Sequence, residues 1–551
     1  MIDSQKEQER QELHQKIWQI ADNLRGAVDG WDFKSYVLVA MLYRFLSENI
    51  TDAINDLQHK AGDLSFNYAE LSDDQVTGEI RKYIIDSKGY FVAPSQLFAN
   101  VLIEAKSNAA LYSKESTGFG GRNLFNNGAG ERVYLNKKLA EIFKEIERSA
   151  SNTESEDDFK GLFSDFDVNS PKLGNDLEKR EERLLAVLEG VASMKLRHSN
   201  NTIDAFGDAY EYLMAMYASS AGKSGGEFFT PQEVSELLAK IATAGQDKIN
   251  KAYDPACGSG SLLLKVKSEA EKTLTSGVVG GFFGQEINLM TFNMCRINMI
   301  LHGVPYNRFN IENGDTLLEP KHWDDEPFDV IVSNPPYSIK WKGDDDVTLI
   351  NDVRFSPAGV LAPKSKADLA FVMHSLAWLS EKGTAAIVCF PGVLYRGGAE
   401  QKIRKYMVTN NRVDAVIQLP SNLFYGTSIA TCILVLKKNK LNDSILFVDA
   451  SREFVKVTNN NKLTPKNISR IADSVVSRAD VDHFARLVPF DEVVENDYNL
   501  SVSTYVEQPD TREKIDIVKL NAEIKEIVAR EQVLRDAIDK IIAEIEGSAT
   551  A

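Results

Sequence analysis

Asn334, Pro335, Pro336 and Tyr337 close the stretch FDVIVSNPPYS, residues Phe328 to Ser338, whose first half is an apolar, strand-like run. Proline has no backbone N–H to give to a ladder and fixes its own φ. The pair therefore stops the strand and holds the carbonyl ahead of each proline in a stiff, outward pose. A buried strand that ends in this way points to a ligand beyond it.

Three stretches upstream carry groups able to hold one. In AYDPACGSGSLLL a strand ends at Asp254, a glycine-rich turn runs through Gly258, Ser259 and Gly260, and a helix starts near Ser261. Glycines admit a ligand close to the backbone, and exposed N–H groups attract a carboxylate or phosphate. The turn is not a P-loop, since no G-K-[ST] follows, and it lacks the third glycine of the dinucleotide fingerprint. A tight strand-to-helix turn with no ligand stays open at this point. GFFGQEIN ends a second strand with Glu286, the position at which an acid binds a nucleoside's ribose hydroxyls. RFNIENGDTL carries Asp315, whose carboxylate can accept from an exocyclic amine such as that of adenine; the alternative is a solvent-facing turn. Further upstream, GGEFFTPQEV offers Thr230 as N-cap, Pro231 at the first helical position and Glu233 completing a capping box. That reading leaves Phe228 and Phe229 unexplained beside two glycines, and they suit a wall against a flat or apolar group.

The elements that must position these groups follow from periodicity. Residues 1–165 read as a helical domain, with helical apolar spacing in SYVLVAMLYRFLSENI and SQLFANVLIEAKSNAALY. A polar, acidic stretch then marks a junction. Over 166–490, short apolar runs alternate with helical stretches, as expected for a doubly wound α/β sheet of mostly parallel buried strands with ligands beyond their carboxyl ends. The tail, 491–551, ends in a helix with Ile517, Leu520, Ile524, Ile527, Leu534, Ile538, Ile541 and Ile545 in 3-4 alternation, broken by Glu531. Such a seam with charged flanks meets another helix more often than it packs back on its own domain.

Composition narrows the function classes. The formal charge of −17 argues against a chain that coats nucleic acid by itself, because neutralising phosphates needs clustered Lys and Arg. No apolar run approaches the ~20 residues that span a bilayer, and the start MIDSQKEQERQELHQK has no signal-like apolar region, so a cytoplasmic protein is expected. Cys257, Cys295, Cys389 and Cys432 lie far apart with no C-x-x-C pair or histidine cluster, which predicts four buried thiols and no metal. The pair Glu104 and Lys106 has the look of half a nuclease site but falls in a helical pattern without a strand-borne Asp ahead of it.

Together, DPACGSGS, GQEIN, NGD and above all NPPY resemble the ordered motifs of S-adenosylmethionine-dependent DNA methyltransferases that act on amino groups. The surrounding text, YEYLMAMYASSAGKSGGEFFTP before the corner and SKADLAFVMHSLAWLSEKGTAAIVCFPGVLYRGGAEQKIRKYM with QLPSNLFYGTSIATCILVL after it, is similar to the modification (M) subunit of type I restriction–modification systems, closely over about 200–450. The resemblance implies a Rossmann-like methyltransferase fold and N6-adenine methylation of DNA with S-adenosyl-L-methionine as cofactor. Residue by residue it implies that Glu227, Phe228, Phe229, Thr230, Pro231 and Gln232, with Ser259, Gly260 and Ser261, hold the methionine end. Asp254 and Gly258 complete that turn, Glu286 takes the ribose and Asp315 the adenine. Cys257 replaces a small residue of the first motif and reads as packing.

The same resemblance gives the corner a task. An amine conjugated to a ring is a poor nucleophile because its lone pair is delocalised. The Asn334 side-chain oxygen and the Pro335 carbonyl can each accept one N–H, drawing the nitrogen toward a pyramidal geometry aimed at the sulfonium methyl. Pro336 keeps the Pro335 carbonyl rigid, and Tyr337 offers a face to an adenine flipped out of double-stranded DNA. Implied partners are a specificity subunit, a second M subunit and a restriction/translocase subunit. After residue 450 no large basic region could read DNA sequence, so the specificity subunit would do so, gripped by the tail. The segment from Ser338 to Asp368 holds Lys340, Lys342, Arg354, Lys364 and Lys366 and is expected either to order over DNA or to be a surface loop. Rival readings are a self-sufficient adenine methyltransferase, a protein-glutamine methyltransferase and an inactive scaffold.

Overall fold

In the computed structural model, the described residues are 2–24, 30–115, 134–196, 204–220, 230–424, 428–457, 460–508 and 516–548. Residues 1–506 form one compact unit and 507–551 a second. The division expected at 165 falls inside the first unit.

The chain begins with helices α1 (Ile2–Leu24), α2 (Gly30–Lys60), α3 (Gly78–Lys88), α4 (Phe98–Glu115), α5 (Leu135–Ser149), α6 (Glu156–Phe159), α7 (Leu177–Ser193) and α8 (Ala205–Ser220). Glu104 and Lys106 both lie on α4, where they pair with Lys138 and Glu189 respectively; a nuclease strand is not there. Buried apolar positions at the helical spacing, such as Val39, Leu42, Tyr43, Leu46 and Ile50 on α2, face a core that continues onto the sheet.

That sheet has nine strands: β1 (Ile249–Asp254), β2 (Val278–Glu286), β3 (Phe309–Asn313), β4 (Phe328–Ser333), β5 (Leu379–Cys389), β6 (Val413–Gln418), β7 (Cys432–Lys437), β8 (Ile445–Asp449) and β11 (Ala485–Val488). A separate antiparallel pair is formed by β9 (Val455–Val457) and β10 (Asn460–Lys462). The order across the large sheet is β11-β8-β6-β7-β5-β4-β1-β2-β3. Strands β3, β2, β1, β4 and β5 run parallel, and β7 enters antiparallel between β5 and β6. Successive residues of β4 serve opposite cores: Val330 and Val332 join the core shared with the N-terminal helices, whereas Ile331 joins the other. Burial on both faces explains why these strands read as continuous apolar runs.

Helices α9 (Gln232–Thr243), which leads into β1, and α10 (Ser261–Thr273), α11 (Leu289–Leu301), α12 (Asp368–Trp378), α13 (Ala399–Thr409) and α14 (Pro465–Ser477), which connect strands, cover the faces. From β1 the chain winds one way to β2 and β3, then returns to place β4 on β1's other side. The crevice at this reversal, beyond the carboxyl ends of β1 and β4, is where such a sheet binds ligands. Arg296 on α11, nearly fully buried, donates to the carbonyls of Asp157, Asp158 and Lys160 and so fixes the helical region to the sheet.

Two boundaries differ from expectation. The helix expected to be capped by Thr230 begins at Gln232 with Pro231 in the cap position and no side-chain cap. The tail expected from residue 491 separates only at 507, because α15 (Phe490–Glu495) and α16 (Val502–Tyr505) pack on the sheet, with Leu500, Val502 and Tyr505 buried and Tyr505 stacked on Phe447 at 4.2 Å. The second unit carries α17 (Ile517–Ser548), on which Leu520, Ile524, Leu534 and Ile538 are exposed. No helix among the described residues is long and apolar enough to cross a membrane. All four cysteines are buried and free of disulfides.

Candidate active site at the β1/β4 crevice

The turns after β1, β2 and β3, the corner after β4 and the start of α9 meet around a cavity of about 350 Å³. From the earlier expectations Thr230, Gly258, Ser259, Ser261, Glu286, Asp315, Asn334 and Pro336 line it. Pro231, Gln232, Asp254, Gly260, Pro335 and Tyr337 do not, and Glu227, Phe228 and Phe229 lie outside the described residues. Gln232 points instead to α10, where Lys265 donates to it at 3.2 Å.

After β1 the turn is built around Glu286. One carboxylate oxygen accepts the N–H of Gly258 at 3.0 Å and the other that of Asn288 at 2.9 Å, so the end of β2 grips the turn that follows β1. Burial pushes the Glu286 carboxyl up, and the N–H groups of Asn288, Gly258 and Ile287 hold that rise back. Each oxygen keeps acceptor capacity for a ligand hydroxyl. Gly260 serves packing rather than ligand approach: its φ is +79°, and a Cβ there would stand 2.7 Å from the Cys295 thiol on α11. Asp254 is fully buried beneath the turn. Burial raises its pKa to about 7; the Ala256 N–H and the neighbouring Ser333 hydroxyl oppose the rise, and the Glu286 charge adds to it. Its second oxygen and the Ser333 hydroxyl have no well-aligned hydrogen bond among the described residues.

After β3, Asp315 spends one oxygen on the N–H groups of Leu317 (2.9 Å) and Leu318 (3.2 Å), which shapes the turn lining the cavity's far wall. Ile287, Leu317 and Phe371 give that end an apolar lining suited to a flat ring.

At the corner after β4, the Asn334 amide is held by two hydroxyls. Its Nδ2 donates to Thr230 Oγ1 at 3.0 Å, and Tyr337 donates its phenol to Asn334 Oδ1 at 2.5 Å. Thr230 is thus a partner of the corner, not a helix cap. The Pro335 carbonyl accepts no hydrogen bond from the described residues. Tyr337 is backed by Phe390 at 5.3 Å and by Phe424 at 6.4 Å, and burial raises its phenol well above the usual range. Ser338, at φ +51°, gives its N–H to Asp368 Oδ2 at 3.1 Å. Phe390, Phe424 and Asp368 escaped the sequence reading; the signal for the first was an aromatic directly after β5, and Phe424 lies in the loop six residues beyond β6.

The segment from Ser338 to Asp368 is folded, with Ala367 bonded to Ile339 and Trp341 to Lys364 at its base. Lys340 and Trp341 line the cavity. Arg354, expected either over DNA or on a surface loop, is instead 1% exposed and paired with Asp352 at 2.7 Å, because the turn after β3 offers it carbonyls in a dry pocket.

The chain matches the N-6 DNA Methylase family over residues 201–514 and the HsdM N-terminal domain over 13–191. The type I restriction enzyme MpnII methylase subunit of Mycoplasma pneumoniae is 49% identical, over 99% of this chain and 98% of its own. The chain belongs to the N-6 DNA methylases, as a methylase subunit of the type I restriction–modification class. The crystal structure of the type I methyltransferase subunit from Streptococcus thermophilus, 36% identical, superposes on 90% of this methylase and all of its own chain with a TM-score of 0.76. A modification subunit from Vibrio vulnificus, at 17% identity and a TM-score of 0.57 over 88% of the methylase and 93% of its own chain, shares the fold.

Proposed function

We propose that this methylase transfers the methyl group of S-adenosyl-L-methionine to N6 of an adenine flipped out of double-stranded DNA, working in the cytoplasm as the modification subunit of a complex whose specificity subunit reads the sequence. One observation carries the reading: the turns after β1, β2 and β3 and the corner after β4 converge on a single crevice cavity. Its volume and its contents, two strand-end acids with an apolar end, fit a nucleoside with a charged tail.

S-adenosyl-L-methionine supplies an electrophilic methyl on sulfur. Glu286 holds the ribose hydroxyls, Asp315 receives the adenine amine, and Thr230 with the Ser259–Ser261 turn faces the methionine end. Asn334 Oδ1 and the Pro335 carbonyl accept the two hydrogens of the target amine and turn its lone pair toward the methyl. Thr230 and Tyr337 fix the Asn334 amide before the base arrives, so the acceptor costs little reorganisation when it is used. Tyr337, supported by Phe390 and Phe424, presents its ring to the base.

A chain with a net charge of −17 needs a partner to grip DNA. The apolar row on α17 docks the specificity subunit, and a second methylase and a restriction/translocase subunit complete the complex. The test is transfer of tritiated methyl groups to DNA with and without the specificity protein. Label in N6-methyladenine is expected with the partner and little without it. Asn334→Ala should bind cofactor and assemble yet transfer nothing. Full activity in that variant, or full site-specific activity of the isolated chain, would overturn the corresponding part.

A further inference from the structure

Arg354 joins two walls of the cavity that the chain builds far apart. Its Nη1 donates to the Thr316 carbonyl and its Nη2 to the Leu317 carbonyl, both at 2.8 Å, and these residues form the turn after β3 that Asp315 shapes. Asp352, two residues earlier, receives Nε and Nη2 and holds the guanidinium in its own segment. That segment starts at the catalytic corner and contributes Lys340 and Trp341 to the opposite wall. The remaining donor reaches the Nδ1 of His374 on α12 at 3.1 Å. An arginine can only donate, so His374 Nδ1 is an acceptor and its proton sits on Nε2, which faces the Tyr253 hydroxyl on β1 at 3.0 Å. Burial, then the Arg354 charge, hold His374 neutral. All five N–H donors of the guanidinium are engaged, on the turn after β3, on Asp352 and on α12, and only a planar, permanently charged fork makes all of these bonds.

We infer that Arg354 is a positioning residue for methyl transfer: it locks the segment leaving the Asn334–Tyr337 corner to the turn that closes the cofactor cavity, so that occupancy of the cavity sets the segment beside the catalytic corner. This rests on reading the cavity as the cofactor site. A ligand that orders the Asp315–Leu317 turn fixes the carbonyls to which Arg354 is bound, and through Asp352 it fixes the segment. Reciprocally, whatever orders the segment tightens the cavity.

Hydrogen–deuterium exchange of the full chain, with S-adenosylhomocysteine as probe, tests this. In the wild type the probe should slow exchange at residues 315–318 and at 339–367 together. In Arg354→Lys, which keeps the charge but not the fork, protection should persist at 315–318 and disappear at 339–367. Turnover at saturating cofactor, measured with the specificity subunit, should fall about tenfold, within the usual range for two sites coupled through one element. A residue that merely supports the fold would lower the melting temperature and leave the paired protection intact, and that result overturns the inference. If Arg354→Lys does not fold, Asp352→Asn decides by the same readout, since it frees the segment while sparing the carbonyl bonds. Wild-type protection at 315–318 without any at 339–367 overturns the coupling alone. Absence of both overturns the cofactor-site reading and the inference with it.

Discussion

The Thr230 hydroxyl and the Asn334 amide meet at 3.0 Å across 104 residues of chain, with Asn334 Nδ2 as the donor. An amide whose nitrogen is so engaged turns its oxygen the other way, toward Tyr337 and the mouth of the corner. Thr230→Val removes the acceptor while preserving shape. Transfer turnover is expected to fall about five- to thirtyfold, the effect of ~1–2 kcal/mol from one part-buried hydrogen bond, while Thr230→Ser stays near wild type. Steady-state turnover with saturating cofactor checks it; equal activity of the two variants would remove Thr230 from the mechanism.

Glu286 serves both as a clamp on the turn after β1 and as the ribose acceptor. Glu286→Gln forces an NH₂ against one of the N–H donors of Gly258 and Asn288, leaving two donors facing each other. Cofactor affinity should weaken by about ten- to hundredfold, on the scale of ~1.5–3 kcal/mol for a hydrogen bond to a charged group. Calorimetric titration with S-adenosylhomocysteine reads this directly, and an unchanged dissociation constant would exclude the ribose role.

Gly260 has two reasons to lack a side chain, its φ of +79° and the Cys295 thiol 2.7 Å from where a Cβ would sit. Gly260→Ala is expected to cost about 2–4 kcal/mol from left-handed strain and overpacking combined. Adding Cys295→Ala should return the packing share only. Thermal denaturation of the single and double variants separates the two, and complete rescue would mean that backbone strain contributes nothing.

Asp254 makes stability depend on pH with an unusual sign. Its native pKa of about 7 lies above the ordinary value near 3.9, so the folded state binds more protons between those limits, and this residue's contribution is lost as pH rises through that window. The melting temperature of Asp254→Asn relative to wild type should therefore increase from pH 4 to 7 and level off above. His374 works oppositely. Held neutral in the fold, it withdraws stability as pH falls below its ordinary value of about 6.5, where the unfolded chain takes up a proton that the native state refuses. His374→Gln, whose amide can both accept and donate, should be less acid-sensitive than wild type.

The row on α17 yields a binding prediction. Ile524→Glu with Ile538→Glu places charges on the seam, which should abolish capture of the specificity subunit in co-purification while S-adenosylhomocysteine binding is retained. Undiminished capture would show that the partner docks elsewhere.

The ends of β1 and β2, at Asp254 and Glu286, coincide with the ends expected from sequence, β4 stops at Ser333 just ahead of the proline pair expected to end it, and α10 starts at Ser261 as expected. These boundaries were legible because they rest on local chemistry: glycine, proline and the change from an apolar run to polar residues act within a few positions. The apolar alternation of strands and helices likewise fixed the layered sheet, since each buried strand needs cover on both faces. Other roles depended on residues distant in the chain. Thr230 has an N-cap's local signature, and its use by Asn334 comes only from the corner folding over the start of α9. Arg354 reads as a surface cation in a polar stretch, yet the turn after β3 supplies carbonyls that offset its desolvation. Residues 491–506 look like the start of a tail, but Leu500 and Tyr505 find cover on β8 and beside it. By itself the sequence determined which groups could bind and react, because those are properties of residue types at strand ends. The tertiary structure decided which of them face the cavity and which hold the others in place, because a hydrogen bond or a buried charge is settled by whichever partner packing brings within about 3 Å.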